Sequence, residues 1–293
     1  MPGLKEIRLR LATVRSTRKI TSAMKMVSAA KFHRAQGRHA HYSQYMERYR
    51  QVMALALQGG QGTGPLLQFG PAEKPDLLLV VASNSAMCGV FNASVVKLAV
   101  ARYGELVGQQ RSVAVRAYGR RAFEGLKREL IPVAAHDEEL VQHLDYDKVC
   151  ALYQRLQQDF QSGSYRTVSV VYNSFRNAAQ QSPLVRQIFP VQVSHLEAQG
   201  AANAARREYI VEPSRQALFA AIVPQYALLQ LYGAFLDNMI GEHGARMTAM
   251  TQATDNADTL IGDLTLEYNK ARQSAITNEI VEIVSGADAL RAQ

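Results

Sequence analysis

The sequence predicts an α/β protein in which a long antiparallel coiled coil of the N- and C-terminal helices accompanies a Rossmann-like open α/β middle domain. Three observations lead to this prediction: residues 4 to about 57 read as one helix, residues about 214 to 284 read as another, and strands alternate with helices between them. Helical patterns well beyond about 25 residues are typical of coiled coils. Because each long helix is the other's only long candidate partner, we expect the two ends to pair.

The predicted organisation has four segments. They are an N-terminal coiled-coil helix (1–58), a linker (59–75), a Rossmann-like α/β domain (76–212) and a C-terminal coiled-coil helix (213–293) that packs on the first. The linker is assigned from its run of glycines followed by Pro65, residue types that stop helices.

The first helix carries two apolar sets rather than one. The first has 3-4-3 spacing and the second has 4-3-4 spacing; they consist of Leu4, Ile7, Leu11 and Val14, and of Ile20, Met24, Val27 and Lys31. The two sets are out of phase, so the pattern predicts that the buried seam shifts near residues 16–19, which would change the local winding of a coiled coil.

The middle of the chain follows a different pattern, with short apolar runs separated by turn residues. The predicted strands are 77–82, 112–118 and 166–173, with weaker candidates at 185–193 and 208–211. The predicted helices are about 93–107, capped by Asn92, then 120–129, and 145–161, closed by Gly163. Residues 195–207 read as a mobile polar loop. Strands alternating with helices favour an open, largely parallel sheet.

The C-terminal segment opens with a predicted helix over residues 215–223. Pro224 is expected to kink that helix or to begin a new one. A coiled-coil seam with 3-4 spacing follows, and Gly286 is expected to end the helix; the seam consists of Ile261, Leu264, Tyr268, Ala271, Ala275 and Asn278. Gly233, Gly241, Gly244 and Gly262 each cost a helix about 1 kcal/mol relative to alanine.

Composition narrows the class of protein. Hydrophobic residues make up 47% of the chain, which is ordinary for a folded protein, and there are two cysteines, Cys88 and Cys150. This fits a reducing compartment without a disulfide framework. No uninterrupted apolar run reaches 18 residues and no apolar signal segment opens the chain, so we expect neither a transmembrane helix nor a secretory signal.

Positive charge is concentrated at the N-terminus. Residues 1–50 contain 12 lysines and arginines against Glu6 and Glu47, a net charge of +10, which leaves −2 for the other 243 residues. A basic helix indicates an anionic partner, which could be nucleic acid, a membrane surface or an acidic protein loop. A solvated helix face accounts for the same charges, so the pattern alone leaves these alternatives open.

Sequence motifs for catalysis are missing. The sequence contains no Walker-type phosphate loop and no Gly-x-Gly-x-x-Gly after the first predicted strand. Cys88 precedes a glycine at a predicted strand-to-helix turn, where a tight turn explains it better than a nucleophile. His39 and His41 would lie on different sides of a helix, which disfavours a metal site. We therefore expect no catalytic, cofactor or metal site.

Two blocks at the ends of the chain carry a resemblance to a known family. Residues 4–36 and 242–290, above all 253–290, strongly resemble ATP synthase gamma subunits, the central rotor of that machine. The middle resembles the family more loosely, around the stretch from Cys88 to Asn92. The family usually reads Asp-Arg-Gly-Leu-Cys-Gly there, whereas this chain has Asn84-Ser85-Ala86-Met87 before the cysteine, which puts a charge-based contact at this turn in doubt.

The resemblance implies a function and a set of partners. Proton or sodium flow would turn a membrane c-ring, and the chain, fixed to the ring, would rotate inside a hexamer of alpha and beta subunits that performs the ATP chemistry. Expected partners are the alpha and beta subunits, the epsilon subunit and the c-ring, with no nucleic acid. The chain itself would be non-catalytic, on the cytoplasmic side of a bacterial inner membrane. Plant-type thiol regulation is not expected, because no inserted cysteine pair is present.

The resemblance also implies coupling residues on the C-terminal helix. Arg272 and Gln273 match a family pair that hydrogen-bonds a loop of a beta subunit. Thr277 and Glu279 belong to the same polar patch. By pattern alone, the solvent-exposed face of a coiled coil is the favoured interpretation of this patch.

Further coupling residues are expected elsewhere. Met24 and Arg246 match positions that the family ties to coupling between the rotating gamma subunit and the hexamer of alpha and beta subunits. Lys19, Lys25 and Lys31 are expected from their charge to face the acidic loops of the beta subunits.

Two other functions remain as alternatives. A nucleic-acid-binding protein would use the basic helix, and its binding would fall steeply with salt. A small Rossmann-type enzyme with helical arms would need bound nucleotide, and the missing glycine-rich loop argues against it.

Overall fold

The computed structural model describes residues 4–57, 64–192, 212 and 214–291. The chain divides into two compact units, each described here by itself. Unit one consists of Met1–Val27 with Met247–Gln293, and unit two of Ser28–Arg246. Both long helices contribute residues to both units.

The described elements comprise six helices and five strands. The helices are α1 (Leu4–Leu57), α2 (Phe91–Gly108), α3 (Arg120–Arg128), α4 (Glu139–Gln142), α5 (Tyr146–Gln161) and α6 (Arg215–Arg291). The strands are β1 (Asp76–Val81), β2 (Val113–Tyr118), β3 (Ala135–Asp137), β4 (Thr167–Phe175) and β5 (Gln181–Phe189).

The five strands form one sheet in the order β3-β2-β1-β4-β5. Strands β3, β2, β1 and β4 are parallel to their neighbours, and β5 pairs antiparallel with β4 at the edge. The prediction of an open, largely parallel α/β sheet is therefore confirmed. All six residues of the central strand β1 are buried, which explains the continuous apolar run that starts at Leu77; the buried Asp76 before it is paired with Arg111.

Alternating residues of the strands point to opposite faces of the sheet and belong to two apolar clusters in unit two. On one face, Leu77 and Leu79 of β1 join side chains of α5 and of the parts of α1 and α6 that belong to this unit. On the other face, Leu78 and Val80 join side chains of α2 and α3. The sheet is thus covered on both faces, as parallel sheets require.

The seam of α1 in unit one differs from the prediction. Ile7 and Leu11 are buried as expected, but the next fully buried position is Thr21, at 8% exposure, while Ile20 and Val27 are each 57% exposed. These buried positions fit one unbroken repeat of four and three residues from Ile7 onward. The predicted shift near residues 16–19 is therefore wrong: a threonine occupies the buried position, and the apolar side chains beside it face outward.

The seam of α6 in unit one is confirmed over its first part. Leu264 is 5% exposed, and Ile261, Tyr268 and Ala271 are half-buried. The prediction fails beyond that point, since the next two predicted seam residues, Ala275 and Asn278, are exposed.

Several local predictions in the middle domain need correction. The short elements β3 and α4 were not foreseen; the Asp137 carboxylate accepts hydrogen bonds from the first backbone N–H groups of α4. Asn92 does not cap α2, which begins at Phe91, but hydrogen-bonds back to the preceding turn. The last strand lies at Gln181–Phe189 rather than 185–193. The predicted strand 208–211 and loop 195–207 lie outside the described residues.

Helix α6 is longer and less interrupted than predicted. It continues through Pro224, so no new helix starts there, and it passes Gly286 to reach Arg291. Asp145 caps α5, with its carboxylate accepting from the N–H of Asp147. One 18-residue window of α6 is apolar enough to cross a membrane, but 56% of that window is buried inside the protein. A core helix of a soluble protein passes the same test.

Two glycines of α6 serve close packing in unit two. A Cβ atom on Gly233 would lie 2.0 Å from the Tyr42 hydroxyl oxygen, and one on Gly241 would lie 2.9 Å from the Phe91 ring. The propensity cost of these glycines is therefore offset by aromatic packing against the helix backbone.

Candidate functional site

Two polar contacts fix how the helices of unit one pair. Arg18 Nε lies 2.5 Å from Asp258 Oδ1, and the hydroxyl oxygens of Thr21 and Thr254 lie 2.9 Å apart. Residue numbers rise along one helix as they fall along the other, so the predicted antiparallel pairing is confirmed. Extended at this register, the pairing places Leu4, the first described residue of α1, opposite about residue 272.

The end of α6 therefore extends past the described start of α1. Residues 272–285 are all exposed, and they include Arg272, Gln273, Thr277 and Glu279, the four coupling residues expected on this helix. An unpaired helix of this length is marginal in water, since most helical stability in proteins comes from packing of an apolar face.

Apolar side chains accompany these four residues, which the sequence reasoning missed. Ile276 is 46% exposed, Ile280 is 55% exposed and Ile283 is 67% exposed. Together with Val284 they complete two adjoining stripes with 4-3-4 spacing. The stripes consist of Arg272, Ile276, Glu279 and Ile283, and of Gln273, Thr277, Ile280 and Val284. The available signal was the continuation of isoleucine at spacings of four and three residues.

The coupling residues expected on α1 in unit one lie beside the seam. Lys19 is exposed, whereas Met24 and Lys25 are half-buried. The exposed Ile20 and Val27 lie among them, so this part of α1 presents large apolar side chains together with positive charge.

Unit two contains the remaining two expected residues. Lys31 is exposed on α1, but Arg246 on α6 is only 8% exposed. The Arg246 guanidinium forms an ion pair of 2.7 Å with Glu242 Oε1, one helical turn earlier. Its Nε and Nη2 also donate to the carbonyl oxygen of Ala86, at 3.4 Å each. Arg246 is thus engaged within the chain.

The Ala86 turn, defined here as residues 83–90 between β1 and α2, is braced from within. The Asn92 side chain accepts from the backbone N–H of Ser83 at 3.0 Å, and its amide nitrogen lies 3.1 Å from the Cys88 sulfur. Cys88 is 2% exposed, and burial raises the pKa of its thiol. A buried, protonated thiol is a poor nucleophile, which agrees with the structural interpretation of this cysteine.

His243 is influenced by the charges of two of the expected coupling residues. Burial, followed by the positive charges of Arg246 and Lys31, lowers its pKa to about 4. The imidazole is therefore neutral at pH 7, so it adds no charge to this cluster.

The described residues offer little for metal or cofactor chemistry. Within 4–57, 64–192 and 214–291, no three His, Cys, Asp or Glu side chains are placed to hold a metal ion. A cavity of about 610 Å³ lies beside the Ala86 turn, between α2 and α3. Its basic residues Lys97, Arg121 and Arg128 are accompanied by Glu124 and Glu129, and Arg121 is paired with Glu124 at 2.8 Å.

Comparison with known proteins gives a consistent result. A family model described as ATP synthase matches residues 3–290. The ATP synthase gamma chain of Dinoroseobacter shibae is 38% identical over 295 residues, covering 99% of this chain and 100% of the relative. The gamma chain of Flavobacterium johnsoniae is 40% identical over 293 residues, covering 99% of each.

Solved structures show the same fold at lower identity. A chain of the Euglena gracilis mitochondrial ATP synthase in rotational state 3 matches with a TM-score of 0.68 at 17% identity, covering 99% of this chain and 95% of that one. A rotor chain from the same organism in rotational state 1 matches with a TM-score of 0.63 at 16% identity, covering 93% and 98%.

Proposed function

The chain belongs to the ATP synthase gamma family, and we propose that it acts as the non-catalytic central-stalk subunit of a bacterial ATP synthase. In this role it rotates inside a hexamer of alpha and beta subunits and couples ion flow through a membrane c-ring to ATP synthesis or hydrolysis on the beta subunits. An epsilon subunit is a further partner. The chain is peripheral to the membrane, on its cytoplasmic side.

One observation carries the proposal beyond family membership. The end of α6 is a continuous helix whose polar and apolar side chains are all exposed from residue 272 to 285. A helix with this much exposed isoleucine and valine gains stability from a partner surface around it. The interior of a surrounding hexamer supplies such a surface.

The composition of this end suits a contact that must break repeatedly. Arg272, Gln273, Thr277 and Glu279 offer hydrogen bonds and ion pairs at the surface, and exposed ion pairs contribute about 0–1 kcal/mol each. Interactions of this size orient the rotating helix and are weak enough to break repeatedly. We propose that these four residues contact loops of the alpha and beta subunits.

Residues of α1 add a second contact area. We propose that Lys19 and Lys25 in unit one, and separately Lys31 in unit two, face acidic loops of the beta subunits, and that Met24 contributes to the contact in unit one. Lys19 and Lys31 are exposed, and their charge complements an acidic partner. Arg246 acts differently in this proposal, through the turn that it holds, because its guanidinium is already engaged by Glu242 and Ala86.

Reconstitution tests the proposal. ATPase activity is measured for the purified chain, for its cognate alpha and beta subunits, and for the three together. We expect the chain alone to be inactive and the mixture to form a stable complex with multisite turnover. Failure of the chain to associate with alpha and beta would contradict the proposal. Salt-sensitive binding of the free chain to DNA, combined with that failure, would support the nucleic-acid alternative.

A further inference from the structure

Arg246, the one expected coupling residue that is buried, is paired with a buried carboxylate, that of Glu242. We propose that Glu242 is a positioning residue: it holds the Arg246 guanidinium against the carbonyl of Ala86 and so fixes the Ala86 turn. The consequence for coupling rests on the proposed function, whereas the positioning itself can be measured on the chain alone.

The geometry of the pair supports this role. Glu242 and Arg246 face the same side of α6 at a spacing of four residues, and their side chains are 11% and 10% exposed. A buried guanidinium that loses its carboxylate partner keeps the desolvation cost without the compensating attraction. Arg246 would then turn toward solvent and release the carbonyl of Ala86.

The Ala86 turn has an unfavourable backbone conformation and exposed apolar side chains, so its structure depends on contacts with the rest of unit two. Met87 and Gly89 have φ values of 64° and 59°, and a positive φ is unfavourable for a methionine. Met87 is 59% exposed and Val90 is 79% exposed, so the turn displays two apolar side chains at the surface. Asn92 braces the interior of the turn, but Ala86 lies at its outer part, where Arg246 supplies two N–H donors.

Cys88 provides a probe of the turn without any further substitution. Its thiol is 2% exposed, so a thiol reagent reaches it when the turn opens. Cys150 is half-buried at another place in unit two and reports general loosening of the same unit. Both thiols can be followed together by mass spectrometry of the labelled full chain.

Glu242→Gln and Arg246→Gln form a pair that separates positioning from electrostatics. Arg246 lowers and Glu242 raises the pKa of the Cys88 thiol, so a purely electrostatic effect would speed labelling in Glu242→Gln and slow it in Arg246→Gln. Loss of the hold on Ala86 would instead speed labelling in both. Glu105→Gln, which breaks an exposed pair with Arg102 on α2, is the control.

We expect both variants to label Cys88 at least about tenfold faster than the native chain, the smallest factor that corresponds to loss of one charge-assisted hydrogen bond. Cys150 labelling and the helical circular dichroism signal should stay at native values, as should all readings for Glu105→Gln. Unchanged Cys88 labelling, opposite changes in the two variants, or equal acceleration at Cys150 would overturn the proposal.

The same variants in the assembled enzyme separate this inference from the proposed function. The number of ions pumped per ATP hydrolysed should fall in both Glu242→Gln and Arg246→Gln. Faster labelling of Cys88 together with undiminished pumping would support the positioning role of Glu242 and contradict the coupling role proposed for Arg246.

Discussion

Unit two and unit one bury side chains in different ways. In unit two, the central strand β1 is completely buried, and two apolar clusters cover both faces of the sheet. In unit one, the buried side chains form a single seam between α1 and α6, which includes the hydroxyls of Thr21 and Thr254. Beyond this seam, the side chains of α6 are exposed from residue 272 to residue 285. The difference indicates that unit two supplies most of the folding stability, whereas unit one leaves a long stretch of helix uncovered, where we propose the contacts with the alpha and beta subunits.

The largest expected effect lies in the core of unit two. Leu79 is 0% exposed in the middle of β1. Leu79→Ala removes buried apolar atoms and leaves a cavity, which should lower the free energy of unfolding by about 4 kcal/mol. Urea denaturation of the isolated chain measures this. A loss below about 1 kcal/mol would mean that the core of unit two is looser than its burial indicates.

The next effect should be confined to unit one. Leu264→Asp places a charge in the narrow seam and should destabilise the helix pair by about 3 kcal/mol. Hydrogen exchange should then accelerate in residues 4–27 and 247–271 while the strands of unit two stay protected. Leu266→Asp is the matched control, because Leu266 is 63% exposed two residues away. Equal effects from both substitutions would remove the distinction between seam and surface.

A smaller effect tests the polar part of the seam. Thr21→Val and Thr254→Val each remove one hydroxyl of the buried pair while keeping its shape. A double-mutant cycle on thermal unfolding should give a coupling free energy of about 0.5 to 1 kcal/mol. A coupling free energy of zero would show that the two hydroxyls are satisfied by the carbonyls of their own helices, those of Arg18 and Met250.

The smallest effect at neutral pH concerns the pH dependence of unit two, because it develops only as the pH falls below 6.5. The pKa of His243 is lowered from 6.5 to about 4 in the folded chain, so the unfolded chain binds more protons between these values. His243 therefore contributes stability that is present above pH 6.5 and is lost as the pH falls toward 4. His243→Gln should flatten the decline of the melting temperature over this range. An equally steep decline in the variant would assign it to other groups.

Sequence reasoning succeeded where a pattern was long. The periodicities over residues 4–57 and 214–284 and the apolar run of β1 each extend over enough residues to identify their element. The three-residue β3 and four-residue α4 are too short to carry a period. The register of the α1 seam was missed because a buried threonine and exposed isoleucine and valine reverse the usual rule of burial.

The candidate site, too, was predictable from the sequence only in part. Exposure of Arg272, Gln273, Thr277 and Glu279 agrees with a surface role, but it is the end of the pairing with α1 that leaves them uncovered, and this depends on tertiary structure. The burial of Arg246 also could not be read from its residue type. Its spacing of four residues from Glu242 was a visible signal, although such pairs are common on exposed helices as well.

The most direct test compares two amide deletions at the exposed end of α6. Gln273 lies on one of the two mixed stripes, whereas Asn278 is five residues further on, and therefore about 140° away around the helix. ATP synthesis by the assembled enzyme is measured for Gln273→Ala and Asn278→Ala, together with the melting temperature of each free chain. We expect synthesis to fall severalfold in Gln273→Ala alone, with both melting temperatures unchanged. Full synthesis in Gln273→Ala, or an equal loss in both variants, would contradict the assignment of this helix face to coupling.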